Sequence, residues 1–415
     1  MQTQPSMLGR WLARKLRSAV GDVPIRFVLW DGTETSVPGI APVATVRIKR
    51  QSGVAKFLVD PELWFGDGYT QGWIEVEGDL VSTLTTLYQP LGVQPFTRRA
   101  SGLLAEWITW KQRNSPDGSR RNIHHHYDLN ADFFRLWLDS QLVYTGAYFP
   151  SPDSSLEDAQ VAKMDHVCRK VLLHSGERVV EAGSGWGALA LHMARRYGAI
   201  VRAFNISHEQ VTYARARARR EGLDGQVEFI EDDYRNISGK FDVFVSVGML
   251  EHVGRSQYSD LAGVIHRCLD QDGRGLLHFI GRNCSRPLSS WIRKRIFPGA
   301  HVPTLREAME IFEAWDFSVL DAENLRQHYA RTLTDWLSRY EDSIERVTGM
   351  FGPEFARMWR LYIAGSAAAF RAGSLQLFQI TFACSANNAL PWTRDHIYLA
   401  DRAPRRGSPW KAAMP

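Results

Sequence analysis

The chain has 415 residues, a formal net charge of +5 at pH 7, 44% hydrophobic residues and 23% charged residues. This length predicts two or three domains, and the composition excludes a disordered or collagen-like chain. The positive charge suits an anionic membrane surface or nucleic acid. No zinc-finger, homeodomain or RNP1-like pattern accompanies it, so we predict no nucleic-acid partner.

The cysteines and the apolar segments indicate a cytoplasmic protein. Cys168, Cys268, Cys284 and Cys384 are far apart and form no C-x-x-C pair, which fits a reducing compartment and argues against structural zinc. The start of the chain lacks the apolar core of a signal peptide. No apolar run reaches the roughly 18 residues that a membrane span needs, so we expect none.

Residues 7–20 are predicted to form a basic amphipathic helix. One face carries apolar side chains at a spacing of three to four residues, namely Leu8, Trp11, Leu12, Leu16 and Ala19. The opposite face carries Arg10, Arg14 and Arg17. Such a helix can lie on an anionic lipid surface, and the alternative is a solvated helix packed on its own domain.

A small α+β domain is predicted next. Strand-like runs and one helical run follow each other at 24–30, 44–49, 57–59, 73–76 and 80–91. We place this domain at 1–113, followed by a linker at 114–123 in which Asn, Ser, Pro and Gly lie among arginines. A lipid-binding module, a scaffold and a dimerisation module are all compatible with it.

Three adjacent histidines, His124 to His126, follow the linker. A run of this kind suggests a metal site. Neighbouring side chains on a helix diverge, however, and no Glu or Cys lies at ligand spacing. We therefore predict no metal ion.

A glycine-rich turn organises the central part of the chain. Val179 and Val180 indicate a short buried strand that ends at Glu181, and residues 188–197 have helical spacing. Between them lie three glycines, at Gly183, Gly185 and Gly187. A strand, a glycine turn and a helix open the doubly wound nucleotide-binding sheets, although any tight strand-to-helix turn also favours glycine.

Three further strands follow, each ending in polar groups. The strand 200–204 precedes residues suited to hold a ribose, which are Asn205, Ile206, Ser207 and Gln210. The strand 227–230 precedes Asp233, placed to accept from an adenine amino group, and Tyr234, placed to pack on the ring. The strand 241–247 precedes Glu251.

This order of groups resembles a class I S-adenosylmethionine (SAM) methyltransferase. No second G-x-G-x-x-G spacing supports NAD, and no G-x-x-x-x-G-K-[ST] motif supports ATP. The resemblance implies an α/β fold class, with a Rossmann-like sheet of seven strands.

The later segments combine a basic patch with further helices. Residues 286–303 interleave Arg286, Arg293, Lys294 and Arg295 with aromatic and aliphatic side chains, which suits a lipid phosphate headgroup or an ordinary amphipathic helix. The remaining elements are predicted as a helix at 258–269, a strand at 275–280, helices at 305–315, 332–348 and 353–372, and a strand at 375–383. We expect a poorly ordered tail at 391–415.

Short sequence motifs within these units resemble those of the cyclopropane fatty acid synthase family. They are G-x-G-W-G at 183–187, I-S-x-E-Q at 206–210, D-Y-R at 233–235, S-V-G-M-x-E-H-V-G at 246–254, H-Y-D-L with D-F-F at 126–134, and L-H-F-I-G at 277–281. The resemblance runs from about His124 to Ala383. It is looser over the first domain, where it implies a homodimer as one option.

The resemblance implies a catalytic domain at 124–390 with a helical lid and insert. It implies that SAM contacts Tyr144 and Thr145 as well as the turn residues Glu181, Ser184 and Trp186. It also implies a bicarbonate ion that acts as the base. The ion would be held by Glu251, His278 and Tyr329 and by the backbone around Gly146 and Ile280.

Two positions depart from the family pattern. Gly146 and Ser366 stand where relatives usually have cysteine. A backbone contact at Gly146 survives this change, and a side-chain contact does not. An alkene needs no thiolate nucleophile, so Ser366 argues only against a covalent cysteine mechanism.

The implied reaction makes three demands on the site. If the π bond of an unactivated cis alkene attacks the sulfonium methyl group, a carbocation remains on the chain. The site must then be dry, must stabilise positive charge, and must remove a proton so that the ring closes. Aromatic side chains expected near the cofactor are Tyr144, Tyr148, Phe149 and Trp186.

We therefore expect an enzyme that transfers a methylene group from SAM to cis double bonds of phospholipid acyl chains, working at the inner face of the membrane. The same carbocation could instead give a methyl or methylene branch. A more distant alternative is a methyltransferase of small O or N nucleophiles. A non-enzymatic alternative is a lipid-binding protein on an inactive scaffold.

Overall fold

The computed structural model describes residues 6–93 and 129–398. The linker at 114–123, the histidines His124 to His126 and the Y-D part of the upstream motif lie outside the described residues. The described part contains eleven β-strands and fifteen α-helices.

The strands, in chain order, are β1 (Ile25–Leu29), β2 (Glu34–Thr35), β3 (Ala44–Ile48), β4 (Ile74–Glu77), β5 (Arg178–Ala182), β6 (Ile200–Asn205), β7 (Val227–Glu231), β8 (Phe241–Val247), β9 (Leu269–Gly281), β10 (Phe317–Asn324) and β11 (Gln376–Cys384).

The helices, in chain order, are α1 (Met7–Val20), α2 (Gln51–Val59), α3 (Pro61–Thr70), α4 (Leu80–Val93), α5 (Ala131–Phe134), α6 (Leu156–Lys170), α7 (Ala188–Tyr197), α8 (His208–Arg220), α9 (Leu250–Val253), α10 (Tyr258–Cys268), α11 (Leu305–Glu313), α12 (Arg326–Asp342), α13 (Ile344–Phe351), α14 (Pro353–Arg371) and α15 (Asp395–Tyr398). A single π-helical turn spans Ile292–Ile296.

The chain divides into two compact units. One comprises the described residues up to 93 together with Arg286–Pro298 and Ala330–Leu375. The other comprises the described residues from 129 to 285 together with Gly299–Tyr329 and the chain from Gln376 onward. This partition differs from the predicted boundaries, which assigned all of 124–390 to one catalytic domain.

Specific contacts explain why the first unit takes in the later segments. Trp291 lies so close to Gly66 that a Cβ added there would be 2.2 Å from the indole Cδ1. Arg295 forms an ion pair of 2.8 Å with the buried carboxylate of Asp67. Arg357 donates to the carbonyl oxygen of Tyr69 at 2.6 Å. These contacts are distant in sequence, so a linear pattern could not reveal them.

The first unit contains a four-stranded sheet in the order β2-β1-β3-β4. β1 and β3 are parallel, and the outer strands are antiparallel to their neighbours. Ala44, Val46 and Ile48 are buried, as the alternating pattern predicted. The predicted strand at 57–59 is wrong, because Val54 and Phe57 bury one face of the helix α2 at a spacing of three residues.

The second unit is built on a seven-stranded sheet in the order β10-β11-β9-β8-β5-β6-β7. The strands from β9 to β7 along this order are parallel, and β11 and β10 are antiparallel additions. Neighbouring residues of β5, Val179 and Val180, enter two different cores on opposite faces of the sheet. The predicted seven-stranded, doubly wound fold is therefore confirmed.

Several predicted elements differ in detail. Residues 129–150 contain only the four-residue helix α5, in place of a largely helical lid. The predicted helix at 332–348 is two helices, α12 and α13, and β10 was missed altogether. Residues 391–398 of the predicted tail include α15, whose Ile397 is buried; residues 399–415 lie outside the described residues.

The basic patch at 286–297 is partly used within the first unit. Trp291 and Ile296 are buried, and Arg295 is paired with Asp67. These groups therefore stabilise the first unit. Headgroup binding by this patch stays a prediction.

We predict that Gly66→Ala lowers the free energy of unfolding by about 1–3 kcal/mol, because the new methyl group overlaps the ring of Trp291. The matched control is Gly349→Ala in α13, where a Cβ meets nothing within 4 Å and alanine favours the helix. Urea denaturation measures both. Equal stability of Gly66→Ala and the parent chain would contradict the packing described here.

Candidate active site

The glycine turn after β5 adopts a backbone that side chains would not tolerate. Gly183, Gly185 and Gly187 have φ values of 86°, 51° and 86°, in the left-handed region. A Cβ at Gly183 would lie 3.0 Å from the Cβ of Met249, and one at Gly187 would lie 2.7 Å from the ring of Phe229. The turn therefore needs glycine both for conformation and for space.

A cavity opens at the carboxyl ends of β5, β6, β7 and β8, next to this turn. That edge is where open α/β sheets bind ligands. Twelve of the predicted cofactor residues line it, namely Tyr144, Thr145, Glu181, Gly183, Ser184, Gly185, Trp186, Asn205, Ile206, Gln210, Asp233 and Tyr234.

Two predicted cofactor residues do not line the cavity. Gly187 is the N-cap residue of α7 and packs against Phe229 and Ala214, so its role is to bring the helix close to the sheet. Ser207 caps α8, where its hydroxyl accepts a hydrogen bond from the backbone N–H of Gln210 at 3.4 Å. Both residues therefore position the starts of the helices next to the cavity and do not line it.

The amide of Asn205 ties the glycine turn to the end of β6. Its Nδ2 donates to the carbonyl oxygen of Gly185 at 3.1 Å and to Oε1 of Gln210 at 2.8 Å. Its Oδ1 accepts from the backbone N–H of Ser207 at 3.1 Å. The group predicted to face a ribose thus also fixes the shape of the turn.

Asp233 and Tyr234 form the far side of the cavity. Both carboxylate oxygens of Asp233 lie within 3.0 Å of the guanidinium of Arg235, and the Arg235 cation lies 4.7 Å from the centre of the Tyr234 ring. The paired carboxylate and the ring are held as one assembly. Arg235 was not among the predicted residues.

An aromatic cluster walls the opposite side. Tyr144 lies 5.3 Å from Phe134 and 5.4 Å from Trp137, and Trp186 lies 5.6 Å from Phe134, measured between ring centres. The pairs of Tyr144 with Trp137 and of Trp186 with Phe134 are edge-to-face, which is a favourable arrangement.

Tyr148 does not line the cavity. It stacks between the rings of His166, at 4.3 Å, and His328, at 4.7 Å. Phe149, which also lies outside the lining, donates its backbone N–H to Nδ1 of His328 at 3.0 Å. The two aromatic residues therefore anchor the segment that carries Thr145 and Gly146.

Sequence reasoning missed Lys163, a buried cation in the cavity wall. Its Nζ donates to Oγ1 of Thr145 at 2.9 Å. Burial lowers the pKa of Lys163 to about 8 and raises the pKa of Glu181 to about 8. The attraction between the two charges acts against both shifts. The available signal was a lysine that shares a helix face with the buried Gln160 and Val167.

Glu251 and His278 contribute two buried polar atoms that have no hydrogen-bond partner among the described residues. Oε1 of Glu251 accepts from the backbone N–H of Ile280 at 2.5 Å, and its Oε2 has no partner. Nδ1 of His278 contacts the Gln379 amide at 3.0 Å, and its Nε2 has no partner. Burial raises the pKa of Glu251 to about 7 and lowers that of His278.

A chain of contacts brings the five predicted catalytic residues to one place. Ile280 pairs with Leu377 across β9 and β11, two residues from His278. A Cβ at Gly146 would lie 2.9 Å from Leu377 Cδ2 and 3.1 Å from Tyr329 Cγ. Thr145, the neighbour of Gly146, lines the cavity together with Gly248. A Cβ at Gly248 would lie 2.9 Å from the methyl group of Thr145.

Two details of this cluster differ from simple expectation. The N–H of Ile280, expected to face a bound anion, is already used by Glu251. The space at Gly146 admits no additional side-chain atom unless Leu377 or Tyr329 moves. Glycine at this position is therefore matched to its surroundings.

The comparisons with known proteins identify the family of the chain. The family model described as mycolic acid cyclopropane synthetase matches residues 114–380. The chain belongs to this family. A second model, for a domain of unknown function, matches residues 12–93.

Similar proteins cover nearly the whole chain. A probable fatty acid methyltransferase of Pseudomonas putida is 33% identical over 91% of this chain and 96% of its own. The cyclopropane-fatty-acyl-phospholipid synthase of Escherichia coli (strain K12) is 33% identical over 86% of this chain and 91% of its own.

Among solved structures, the mycolic acid cyclopropane synthase CmaA1 complexed with SAH and CTAB has a TM-score of 0.61 and 29% identity, covering 63% of this chain and 97% of that one. This family member is thus a SAM-dependent methyltransferase, and the predicted family, fold and enzyme class are confirmed.

The described part of the chain offers neither a metal cluster nor a membrane-spanning helix. Residues 6–93 and 129–398 contain no cluster of three or more His, Cys, Asp or Glu side chains that could hold a metal ion. No helix in these ranges is both long enough and apolar enough to cross a bilayer.

We predict that Glu251→Gln stabilises the protein at high pH. The ordinary pKa of the carboxyl is 4.5 and its folded value is about 7, so the unfolded state ionises first as pH rises and the parent chain loses stability between these values. Glutamine does not ionise. Urea denaturation at pH 8 should show a gain of about 2–3 kcal/mol that disappears near pH 4.

The control for this experiment is Glu313→Gln, an exposed carboxylate at the end of α11. It should leave the pH dependence of stability unchanged. A difference between Glu251→Gln and the parent chain that is the same at pH 4 and pH 8 would rule out a buried carboxyl with a raised pKa.

Proposed function

We propose that this enzyme transfers a methylene group from SAM to cis double bonds of phospholipid acyl chains and produces cyclopropane fatty acids. The observation that carries the proposal is the buried pair of unpartnered atoms, Glu251 Oε2 and His278 Nε2, beside the cofactor cavity. The similarity to the E. coli cyclopropane-fatty-acyl-phospholipid synthase supports the acyl substrate. A methyltransferase of small O or N nucleophiles would need no such pair outside its cofactor cavity.

The residues present fit a small anion such as bicarbonate. A carboxyl oxygen and an imidazole nitrogen that are both buried without a partner among the described residues, and that lie in one cluster, can complete their hydrogen bonding with a single ligand. Glu251 is largely neutral below pH 7 and can then donate, and Nε2 of His278 lies in the same cluster. Tyr329 and the backbone at Gly146 border the cluster, as the contacts at Gly146 indicate.

The reaction balances as one methyl transfer and one proton loss. The alkene attacks the methyl carbon, the C–S bond breaks, and S-adenosylhomocysteine leaves. A proton is lost from the new methyl group, and its C–H electron pair closes the ring. Bicarbonate, when bound, supplies the base for this proton.

The chain's own residues provide the surroundings for that sequence. The rings of Tyr144 and Trp186 offer π faces near the sulfonium end of the cavity, which suits developing positive charge. Glu251 and His278 hold the anion in a water-excluded cluster. Gly183 and Asn205 keep the turn in the shape that receives the cofactor.

We predict the product from a labelling experiment with vesicles and SAM that carries a CD₃ group. The acyl chain should gain CD₂, because one deuteron leaves to the base, and the product should resist mild hydrogenation. Mass spectrometry of the released acyl chains measures both. His278→Gln should abolish the product, and His266→Gln, which alters a ring stacked on Trp315, should retain it.

Other products would change the proposal. A product that takes up hydrogen carries a methylene branch and would show that the carbocation is diverted; the fatty acid methyltransferase relative and Gly146 make this the second candidate. Binding of SAM without any lipid product would redirect the search to small acceptors. Removal of bicarbonate should slow the formation of a cyclopropane product, and adding it back should restore the rate.

We further propose that α1 attaches the enzyme to an anionic membrane. Its buried face is formed by Leu12, Ala13 and Leu16, whereas Leu8 and Trp11 are 43% and 48% exposed. Lys15 lies 5.8 Å from the Trp11 ring, and Arg10 and Arg14 are exposed nearby. Exposed apolar groups beside cations suit the interface of anionic lipids. The homodimer through the first domain stays a prediction.

We predict that Trp11→Ser weakens binding to vesicles of mixed anionic and neutral phospholipid about tenfold, because the indole no longer enters the interface. Flotation of the full chain with vesicles measures this. Trp315→Ser, at a similarly exposed tryptophan of the second unit, is the control and should bind as the parent chain does. Equal binding of both variants would exclude α1 as the attachment site.

A further inference from the structure

His278 and Gln379 are direct partners across the antiparallel strands β9 and β11. Both side chains are buried, with exposed fractions of 2% and 0%. Nε2 of Gln379 lies 3.0 Å from Nδ1 of His278. An amide NH₂ group can only donate, so Nδ1 must offer a lone pair and carry no proton.

The surroundings of His278 favour its neutral form. Burial is the main cause of its lowered pKa, and Lys163, Lys170 and His166 on α6 act in the same direction. Glu323 on β10 acts in the opposite direction, and Glu251 lies in the same cluster. A neutral imidazole has one proton, and a proton excluded from Nδ1 must be on Nε2.

We propose that Gln379 is a positioning residue that fixes the Nε2–H form of His278, so that Nε2 donates to the anion held beside Glu251. This role rests on the proposed bicarbonate site. Nε2 is buried and has no partner within residues 6–93 and 129–398, so its proton is available to a ligand. With the opposite tautomer, the lone pair of Nε2 would face the lone pairs of the anion, which is repulsive.

The orientation of the Gln379 amide is the decisive feature. Its Oε1 is buried without a partner, so the only hydrogen bond that holds the side chain among the described residues is the one to His278. The reversed amide would place Oε1 against Nδ1 and require the proton there. The tautomer of His278 therefore reports the orientation directly.

Gln379→Glu tests this role with an isosteric change. A carboxylate accepts from Nδ1–H, which reverses the tautomer and removes the proton from Nε2 while His278 is neutral. Loss of a hydrogen bond to a charged ligand should lower kcat about 10- to 100-fold at pH 8. The carboxylate also raises the pKa of His278, so activity should recover as pH falls and Nε2 is protonated again.

The direct measurement is a long-range ¹H–¹⁵N spectrum of the full chain labelled with ¹⁵N-histidine, without SAM or lipid. The His278→Gln spectrum identifies the resonances. We expect Nε2 protonated and Nδ1 bare in the parent chain, and Nδ1 protonated in Gln379→Glu at pH 8. Gln379→Met removes the donor without adding charge and should show both tautomers of His278. This variant tests the positioning role even if Gln379→Glu does not fold.

Thr381→Val is the matched control. Thr381 lies two residues along β11, is buried, and has a hydroxyl without a partner. It should leave both the tautomer and the activity unchanged. Nδ1 protonated in the parent chain, or the same tautomer in the parent and Gln379→Glu, would overturn the positioning role.

The tautomer measurement needs no turnover, so its outcome is separate from that of the proposed function. Nε2–H in the parent chain with no cyclopropane in the vesicle assay would contradict the proposed reaction and leave the role of Gln379 in fixing His278 intact. Cyclopropane formation with Nδ1–H in the parent chain would do the reverse.

Discussion

The antiparallel pairing of β11 with β9 is the constraint on which the candidate active site depends. It sets Gln379 against His278 and Leu377 against Ile280. Leu377 in turn lies next to Gly146, and Gly146 lies next to Tyr329. The pairing therefore places all of these residues at the same end of the sheet. A shift of this pairing by one residue would turn Gln379 to the other face and dissolve the cluster.

Close packing then limits what each position can hold. The turn after β5 needs glycine at Gly183 and Gly187, where φ is positive and a Cβ would meet Met249 or Phe229. At Gly146 a Cβ would fit only if Leu377 or Tyr329 moved. The backbone at Gly146 lies close to the ring of Tyr329. This proximity is compatible with the predicted backbone role at this position.

Buried ionisable groups give the site its chemical character. Lys163 and Glu181 at the cofactor cavity, and Glu251 and His278 beyond it, are each almost fully removed from water. Burial moves the pKa of Lys163, Glu181 and Glu251 towards neutrality and keeps His278 uncharged. Burying an ionisable group without a full set of partners costs free energy. Such groups with shifted pKa values are typical of functional sites, where a ligand supplies the missing partner.

The sequence alone determined the local units of the second domain. Periodicity and turn chemistry located β5, the glycine turn, α7 and β8 to within a residue or two. A short buried strand, a glycine cluster and an apolar helix face are all local patterns, so neighbouring residues are enough to predict them. Motif resemblance named Glu251, His278 and Tyr329. Only the tertiary structure decided the domain division, in which 286–298 and 330–375 join the first unit through contacts such as Arg295 with Asp67. It also revealed Lys163 and Gln379, since a buried lysine and a cross-strand glutamine gain their meaning from neighbours that are distant in the chain.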